Sequence, residues 1–451
     1  MKIHLIAIGG NAMHNLALAL YHKGYEVSGS DDEIFEPSRS RLEKFGLLPP
    51  EIGWFPERIT SNIDAVILGM HAREYNPELI KAQELGLTIY SYPEYLFEQT
   101  KGKKRVVIAG SHGKTTITSM IMHVLKHNRM DFDYMVGALV DGFDTMVSLS
   151  ESTAVAIFEG DEYLSSPIDK KPKFHLYKPH IALITGIAWD HINVFPTLEI
   201  YVEQFAKFID LIEPNGTLFY YEGDPVLNSL VKKTSNRINA KPYKEHDYTV
   251  HEHNTYLLSQ SGSYKLNVFG IHNIQNVSAA KLICNQLGIS DQEFYKGIAT
   301  FKGASKRLQV LKSEDHSIAF LDFAHAPSKV KATINALKGQ FPERKLIACL
   351  ELHTFSSLNL EFLDQYKSSM SAEINIIYFN PKTLEHKLLP ELSINQVKKA
   401  FCDDKLNVFN DIPELIKFLT SFNYKNTNLL FMSSGNFDGT DLSTLAKNLI
   451  Q

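Results

Sequence analysis

Short apolar runs bounded by turn residues alternate with longer helical patterns from one end of the chain to the other. Examples are "IHLIAI" (3–8), "RVVIAG" (105–110) and "KLIACLEL" (345–352). A strand buried on both faces reads as a continuous apolar run, and consecutive parallel strands need a crossover, usually a helix, between them. The alternation therefore predicts an α/β fold built from parallel sheets.

The apolar runs fall into three blocks, and 451 residues at roughly 100–200 residues per domain suggest about three domains. The first block ends near "EQTKGKKR", a polar and basic stretch suited to a linker, and the second closes near Gly303. We therefore predict domains over residues 1–100, 101–302 and 303–451.

The composition is ordinary for a globular protein, with 44% hydrophobic residues, 22% charged residues and a net charge of −5. It indicates no nucleic-acid or anionic-membrane partner. Cys284, Cys349 and Cys402 lie far apart, which argues against a disulfide framework and against a CxxC metal site. No run approaches the ~20 apolar residues of a membrane span. We expect a cytoplasmic protein, either a monomer or a weak homodimer.

The segment "VVIAGSHGKTTITSM" (106–120) reads as a phosphate-binding loop, although only two residues separate Gly110 from Gly113. The usual P-loop has four residues between its first glycine and its Gly-Lys pair. An apolar strand, a glycine turn and a helix starting near Lys114 would still aim backbone amides at a phosphate, and Thr115 or Thr116 could hold Mg²⁺. The alternative is a strand-to-helix turn with a solvated lysine.

The loop "GSHGKTT" resembles that of the Mur ligases, the ATP-dependent amide-forming enzymes of peptidoglycan assembly. Three further segments resemble motifs of that family in the same order: "FEGDEY" (158–163), "FGIHNIQNVSAA" (269–280) and "DFAHAP" (322–327). The resemblance covers essentially the whole chain. It implies a Rossmann-like UDP-sugar domain, a central P-loop ATPase-like parallel sheet and a C-terminal Rossmann-like domain, with ATP and Mg²⁺ as cofactors.

The same resemblance implies which residues perform the chemistry. The catalytic set is Lys114, Glu159, His191 and Arg307. The metal ligands are Thr115, Glu159 and His191. The ATP-binding set is Gly110, His112, Gly113, Lys114, Thr115, Thr116, Asn273, Asn276, Arg307, Asp322 and His325.

Several of these residues have simpler alternatives. Asp161 or Glu162 could be the metal ligand, or could support it, and an acidic strand end could be a solvated turn. Asn273 could cap its helix, and Arg307 could be an ordinary hinge charge. His191 could be a core or surface histidine.

The opening "IHLIAIGGNAMHNLALALYHKGYEVSGSDD" (3–32) resembles that of the family members that bind UDP-N-acetylmuramate directly. The likeness implies that the amides of Gly9, Gly10 and Asn11 meet the diphosphate and that Asp31 meets the uridine end. His71 and Asn76 are further candidates for contacts with the sugar nucleotide. An NAD site is the rival interpretation, but the stretch lacks G-x-G-x-x-G.

Two types of Mur ligase share that donor, one adding L-alanine and one adding the tripeptide L-alanyl-γ-D-glutamyl-meso-diaminopimelate during peptidoglycan recycling. Residues 161–196 resemble the tripeptide type, with Tyr163 where the alanine type typically has serine. We therefore expect a ligase that joins UDP-N-acetylmuramate to the murein tripeptide. His353 and Ser434, which follow apolar strands, would contact the peptide, unless they only stabilise turns.

The alternatives are the L-alanine ligase, a non-catalytic nucleotide-sugar sensor, and a folylpolyglutamate synthetase-type ligase. The nucleotide-sugar-like first block argues against the last. The chain also departs from the family at Gly160 and Ala326, where alanine and histidine respectively are usual.

Overall fold

The computed structural model describes residues 1–189, 194–233, 237–403 and 405–450. The chain divides into two compact units. The first comprises Met1–Ile187, Thr197–Lys244 and Ala279–Phe294, and the second comprises Ala188–Pro196, Glu245–Ser278 and Tyr295–Gln451. The predicted boundaries at residues 100 and 302 remain a prediction.

The first unit begins with a parallel four-stranded sheet of order β2-β1-β3-β4. Its apolar runs are buried, and Ile6, Val66 and Leu68 pack with Leu79 and Ala82 in one core cluster. The elements are β1 (Lys2–Ile6), α1 (Asn11–His22), β2 (Glu26–Ser30), α2 (Ser38–Lys44), β3 (Ala65–Leu68), α3 (Pro77–Glu84), β4 (Ile89–Ser91) and α4 (Tyr92–Thr100).

A seven-stranded sheet of order β11-β10-β9-β5-β8-β6-β7 follows, parallel except for the β6–β7 pair. Its central strand β5 is flanked by β9 and β8, so their carboxyl ends lie side by side. The elements are β5 (Lys104–Ala109), α5 (Lys114–His127), β6 (Asp133–Met135), β7 (Val147–Ser148), β8 (Val155–Glu159), β9 (Ile181–Ile184), α6 (Leu198–Asp210), β10 (Thr217–Tyr221), α7 (Pro225–Val231) and β11 (Asn239–Tyr243).

The second unit holds an antiparallel three-stranded sheet, β12-β13-β14, and a six-stranded sheet of order β15-β16-β20-β17-β18-β19. The six-stranded sheet is parallel except for the β15–β16 pair. The first elements from Tyr248 on are β12 (Tyr248–His251), β13 (Asn254–Ser259), β14 (Gly262–Leu266), α8 (Ile271–Gln286) and α9 (Asp291–Ile298). The remaining elements are β15 (Gln309–Glu314), β16 (Ser317–Asp322), α10 (Pro327–Gln340), β17 (Lys345–Leu352), α11 (Leu360–Leu363), β18 (Ile374–Phe379), α12 (Pro381–His386), α13 (Ile394–Phe401), β19 (Asn407–Phe409), α14 (Ile412–Thr420), β20 (Thr427–Met432) and α15 (Leu442–Leu449).

Both faces of the six-stranded sheet are covered, as expected for parallel strands joined by helices. Along β17, Ala348 and Leu350 face one buried cluster, while Ile347 and Cys349 face another. Successive strand residues point to opposite faces, so a strand buried on both sides is apolar at most successive positions. The predicted α/β fold with parallel sheets is confirmed.

The apolar runs named in the sequence correspond to strands, but several strands were not predicted. β6, β7 and β19 are only two or three residues long. β11 and β12 are largely exposed and mix polar with apolar side chains. Short or solvated edge strands lack the apolar run on which the prediction rests.

A buried glutamate and a buried histidine pair with each other at the N-terminal sheet. The carboxylate of Glu78 on α3 lies 3.2 Å from His4 Nε2 on β1 and accepts the Phe55 N–H at 2.7 Å. Glu78 and His4 are 0% and 2% exposed. Burial raises the pKa of Glu78, but His4 and the Phe55 N–H outweigh it, so that the pKa is lowered overall.

We expect Glu78→Ala to lower the free energy of unfolding by about 3 kcal/mol, because it leaves a buried imidazole and a buried N–H without their acceptor. The lowered pKa means that this contribution is present above the unfolded pKa of the carboxyl and disappears as pH falls through the folded pKa. Urea unfolding at neutral pH measures the loss. Glu57→Ala, at an exposed glutamate nearby, is the control and should change stability by less than about 0.5 kcal/mol.

Candidate functional site

The phosphate-binding loop predicted from the sequence connects β5 to α5. Gly110 has φ 115° and a Cβ there would lie 2.2 Å from Thr185 Oγ1, so the turn requires glycine. Ser111 donates its N–H to the Gly186 carbonyl at 3.0 Å, which attaches the loop to the end of β9. Gly113, at φ 72°, precedes the first residue of α5, so the helix begins at Lys114 as predicted.

Lys114 is largely buried in this loop, with 14% of its side chain exposed, and it has a carboxylate partner. Its Nζ donates to the Gly110 carbonyl at 2.8 Å and to Glu162 Oε2 at 2.6 Å. Burial lowers the pKa of the ammonium, but Glu162, Asp161 and Glu159 outweigh it and raise the pKa overall. Lys114 is therefore a charged lysine beside the helix N-terminus, which is where a transferring phosphoryl group would need a cation. The alternative of a solvated lysine does not agree with this burial.

Glu159, at the end of β8, lies against the first turn of α5. Its Oε1 accepts the Thr115 hydroxyl at 2.9 Å and its Oε2 accepts the Gly137 N–H at 2.7 Å. Burial raises the pKa of Glu159, against the opposing effects of the Gly137 N–H, Lys114 and Thr115. A cation would favour the ionised carboxylate, because it would compensate for the lost hydration.

The hydroxyl of Thr115 and the carboxylate of Glu159 are hard oxygen donors within hydrogen-bond distance of each other, which fits Mg²⁺. Mg²⁺ is commonly held by one or two protein groups together with substrate phosphates. Among the described residues, no group of three or more histidine, cysteine, aspartate or glutamate side chains is placed to hold a metal. His191, the third predicted ligand, lies outside the described residues.

The departure at Gly160 has a physical reason. A Cβ on this residue would lie 2.8 Å from Val107 Cγ1 and 3.2 Å from the Ile108 carbonyl, both on β5. The Gly160 N–H donates to that same carbonyl at 2.7 Å. Glycine here therefore lets the end of β8 approach β5 closely, which keeps Glu159 beside the loop.

In the second unit, Asp322 at the end of β16 is buried and holds the predicted hinge segment. Its Oδ2 accepts the Leu308 N–H at 2.7 Å and its Oδ1 accepts the Ala324 N–H at 2.8 Å. Arg307, directly before Leu308, has its guanidinium 4.6 Å from the centre of the Phe323 ring. The structure thus brings Arg307 and Asp322 together within this unit, and Asp322 has a role inside the fold that the sequence did not indicate.

The other predicted ATP contacts of this unit form short-range contacts along the chain. His325 Nδ1 lies 2.9 Å from the Phe323 carbonyl. The Asn273 amide donates to the Phe269 carbonyl at 2.8 Å, and Asn276 lies 3.4 Å from Asn273 Oδ1. α8 begins at Ile271, so Asn273 lies inside its first turn rather than at the cap. That both asparagines contact adenine remains a prediction.

The candidate diphosphate loop of the first unit differs from the expectation at Gly9. The Gly9 N–H donates to Asp31 Oδ2 at 2.7 Å, so this amide already has an acceptor within the protein. Burial and, to a smaller extent, Asp32 raise the pKa of Asp31 to about 6, against the opposing effect of the Gly9 N–H. Gly10 precedes α1 and Asn11 is its first residue, which places their amides at a helix N-terminus as predicted.

The two sugar-nucleotide candidates after β3 differ from each other. His71 is exposed. Asn76 is buried and caps α3, accepting the N–H groups of Glu78 and Leu79 at 2.9 and 3.2 Å. Capping explains Asn76 without a ligand.

The expected peptide pocket contains a buried carboxylate that the sequence analysis did not single out. Glu351, on β17 and 2% exposed, accepts the Ser433 hydroxyl and, at 3.0 Å, the Phe437 N–H. His353 Nδ1 lies 3.8 Å from Glu351 Oε1, and burial lowers the pKa of His353 despite this carboxylate. The Ser434 hydroxyl is buried, with no hydrogen-bond partner among the described residues. Glu351 could have been recognised from the sequence, because it is an acidic residue inside the apolar run of β17.

Other side chains of this region stabilise turns. The Thr354 hydroxyl accepts the Ser357 N–H at 3.0 Å, and Asn436 Oδ1 accepts the Gly439 N–H at 3.2 Å. The simpler interpretation therefore accounts for these two residues.

Comparison with known proteins gives matches along most of the chain. Residues 2–104 match a model described as "Mur ligase family, catalytic domain", and residues 108–284 match one described as "Mur ligase middle domain". A UDP-N-acetylmuramate–L-alanine ligase from a Sulfurihydrogenibium species is 30% identical over 383 residues, which is 83% of this chain and 82% of that relative.

Two solved structures resemble the whole chain. The UDP-N-acetylmuramate-alanine ligase of Thermotoga maritima has a TM-score of 0.71 at 20% identity, and the murein peptide ligase of Psychrobacter arcticus has a TM-score of 0.66 at 22% identity. In both comparisons the match covers 100% of this chain and 98% of the other. At these identities the likeness establishes the fold. No helix of the described chain combines the length and the apolarity that crossing a membrane requires.

Proposed function

The chain belongs to the Mur ligase family and is an ATP-dependent ligase, and we propose that it joins the carboxylate of UDP-N-acetylmuramate to the amine of an amino acid or peptide. The observation that carries this proposal is the cluster at the carboxyl ends of β5 and β8. There a buried, charged Lys114 and the Thr115–Glu159 pair meet at the N-terminus of α5.

The chemistry proceeds in two successive substitutions, each of which forms one bond and breaks another. The muramoyl carboxylate attacks the γ-phosphorus of ATP, which releases ADP and leaves an acyl-phosphate. The amine then attacks the acyl carbon, phosphate departs, and the amine loses a proton. In our proposal Lys114 and the amides of α5 bind the phosphoryl oxygens, and Thr115 and Glu159 would hold Mg²⁺, which neutralises charge on the transferring group.

The amine that accepts the muramoyl group is either L-alanine or the tripeptide. The resemblance of residues 161–196 favours the tripeptide, whereas the relative that is 30% identical is an L-alanine ligase, and this similarity supports the alternative. We therefore propose L-alanine as the first acceptor to test. The tripeptide is the second candidate, favoured by Tyr163 and by the resemblance of residues 161–196 to the tripeptide type. The N–H of Lys173 donates to the Tyr163 carbonyl at 2.8 Å and the N–H of Phe174 donates to the Asp161 carbonyl at 3.1 Å, so this segment folds back on itself.

We expect phosphate release from purified protein, ATP, Mg²⁺ and UDP-N-acetylmuramate only when a suitable amine is present. Parallel reactions contain L-alanine, the tripeptide L-alanyl-γ-D-glutamyl-meso-diaminopimelate, or no amine, and mass spectrometry identifies the product. We expect kcat/KM values for the two amines to differ by at least about 100-fold, since a site built to bind one of them leaves polar groups unpaired with the other.

Each outcome of this assay has a defined meaning. Release with L-alanine supports the proposal, and release with the tripeptide alone supports the second candidate. Tight UDP-sugar binding without ATP consumption under any amine would instead support the non-catalytic sensor.

A further inference from the structure

A buried tyrosine outside the sequence motifs reaches the phosphate-binding loop. Tyr201 lies on α6 and is 0% exposed. Its hydroxyl donates to Glu162 Oε1 at 2.9 Å and lies 3.1 Å from Ser111 Oγ in the loop. Its ring packs edge-on against Phe205 at 5.2 Å between centroids, which keeps the hydroxyl in place.

Glu162 connects this tyrosine to the lysine of the loop. The carboxylate is 1% exposed on its side chain, and its second oxygen, Oε2, accepts from Lys114 Nζ at 2.6 Å. A carboxylate bound through one oxygen can rotate about its last bond, whereas a donor on each oxygen fixes its plane. The position of the Lys114 ammonium therefore depends on the Tyr201 hydroxyl, which reaches it through Glu162.

We propose that Tyr201 is a positioning residue, which through Glu162 holds the Lys114 ammonium in the phosphate-binding loop. This inference rests on the proposed function, because it assigns Lys114 to the phosphoryl groups of ATP. Small displacements of a group that acts on a transferring phosphoryl group have large effects on rate. Tyr201 also contacts Ser111, so it restrains both sides of the loop.

A structural role alone is the competing explanation, and the chain contains a matched control for it. Tyr177 is also 0% exposed and lies in the same unit, but its hydroxyl has no hydrogen-bond partner among the described residues. Tyr177→Phe and Tyr201→Phe therefore make the same chemical change in a buried ring. Only the second removes a bond to Glu162.

The test compares the two variants with the wild-type full chain. Isothermal titration calorimetry gives the Kd of ADP, and steady-state assays give kcat and the KM for UDP-N-acetylmuramate. For Tyr201→Phe we expect the ADP Kd to rise about fivefold and kcat to fall about tenfold, since both depend on the placement of Lys114. The KM for the UDP-sugar should stay within about twofold, since Glu162 and Ser111, which the hydroxyl contacts, are not among the proposed sugar-site residues. Tyr177→Phe should match the wild type in all three.

A Tyr201→Phe variant with wild-type ADP affinity and kcat overturns the inference, even if its Tm falls, because only the structural role would then remain. An equal loss in Tyr177→Phe also overturns it. If Tyr201→Phe does not fold, the same measurements are made on Glu162→Gln. This variant keeps an acceptor for the Tyr201 hydroxyl but removes the charge that holds Lys114. Its kcat should fall by about 100-fold, and wild-type kcat and ADP affinity would overturn the inference. A wild-type protein that neither binds ADP nor consumes ATP overturns the proposed function as well, which keeps the two failures apart.

Discussion

Replacing Lys114 with methionine is expected to lower kcat by about 10³-fold, the size of effect that follows removal of a cation from a transferring phosphoryl group. Methionine keeps most of the apolar stem but cannot donate to a phosphate. ADP formation at saturating ATP, UDP-N-acetylmuramate and amine measures the loss. Retention of full turnover in a folded variant would remove Lys114 from the proposed site.

The same substitution is expected to cost stability, which must be separated from the chemistry. Lys114→Met leaves Glu162 buried without its cation, and an uncompensated buried charge costs about 3–5 kcal/mol. The double variant Lys114→Met/Glu162→Gln removes that charge and should recover most of the lost Tm. We expect it to remain inactive, because the phosphate still lacks its cation. Recovery of activity together with Tm would mean that Lys114 serves only the fold.

Glu159→Gln is expected to lower kcat by about 100-fold and to raise the Mg²⁺ concentration for half-maximal rate at least about tenfold, because an amide oxygen is a weaker ligand for a hard cation than a carboxylate. The fold should survive. Glutamine can still accept the Gly137 N–H and can donate its amide to Thr115, and the cost of burying a charge disappears. Rates measured over a range of Mg²⁺ concentrations test the metal dependence, and the Tm in the absence of metal tests the fold.

Asp161→Asn is the matched control, since Asp161 is one of the two other carboxylates, with Glu162, that the motif offered as a ligand. Asp161 Oδ2 lies 2.7 Å from Lys173 Nζ in a partly exposed pair, and such pairs contribute about 0–1 kcal/mol. We expect its half-saturating Mg²⁺ concentration to stay within about twofold of the wild type. If Asp161→Asn shifts the Mg²⁺ titration and Glu159→Gln does not, the two assignments must be exchanged.

Much of the fold could be predicted from the sequence because buried parallel strands need apolar residues on both faces. "KLIACLEL" therefore identified β17, and "VVIAG" followed by Gly113 and Lys114 identified a strand, a turn and a helix start. The short strand β6 carries no such pattern. The edge strands β11 and β12 are held by backbone hydrogen bonds and are largely exposed, so their sequences show no continuous apolar run.

The candidate site divides in the same way. The family and the residues of the loop could be predicted from the sequence alone. Gly110 and Gly113 precede Lys114 at a fixed spacing, and both have positive φ angles, a backbone conformation that favours glycine. The partners of those residues depend on the tertiary structure. Lys114 donates to Glu162 rather than to solvent, Tyr201 donates to Glu162, and the Gly9 N–H donates to Asp31. Such contacts join residues 22–48 positions apart. Their distances depend on how strands and helices pack, and no local pattern in the chain encodes that packing.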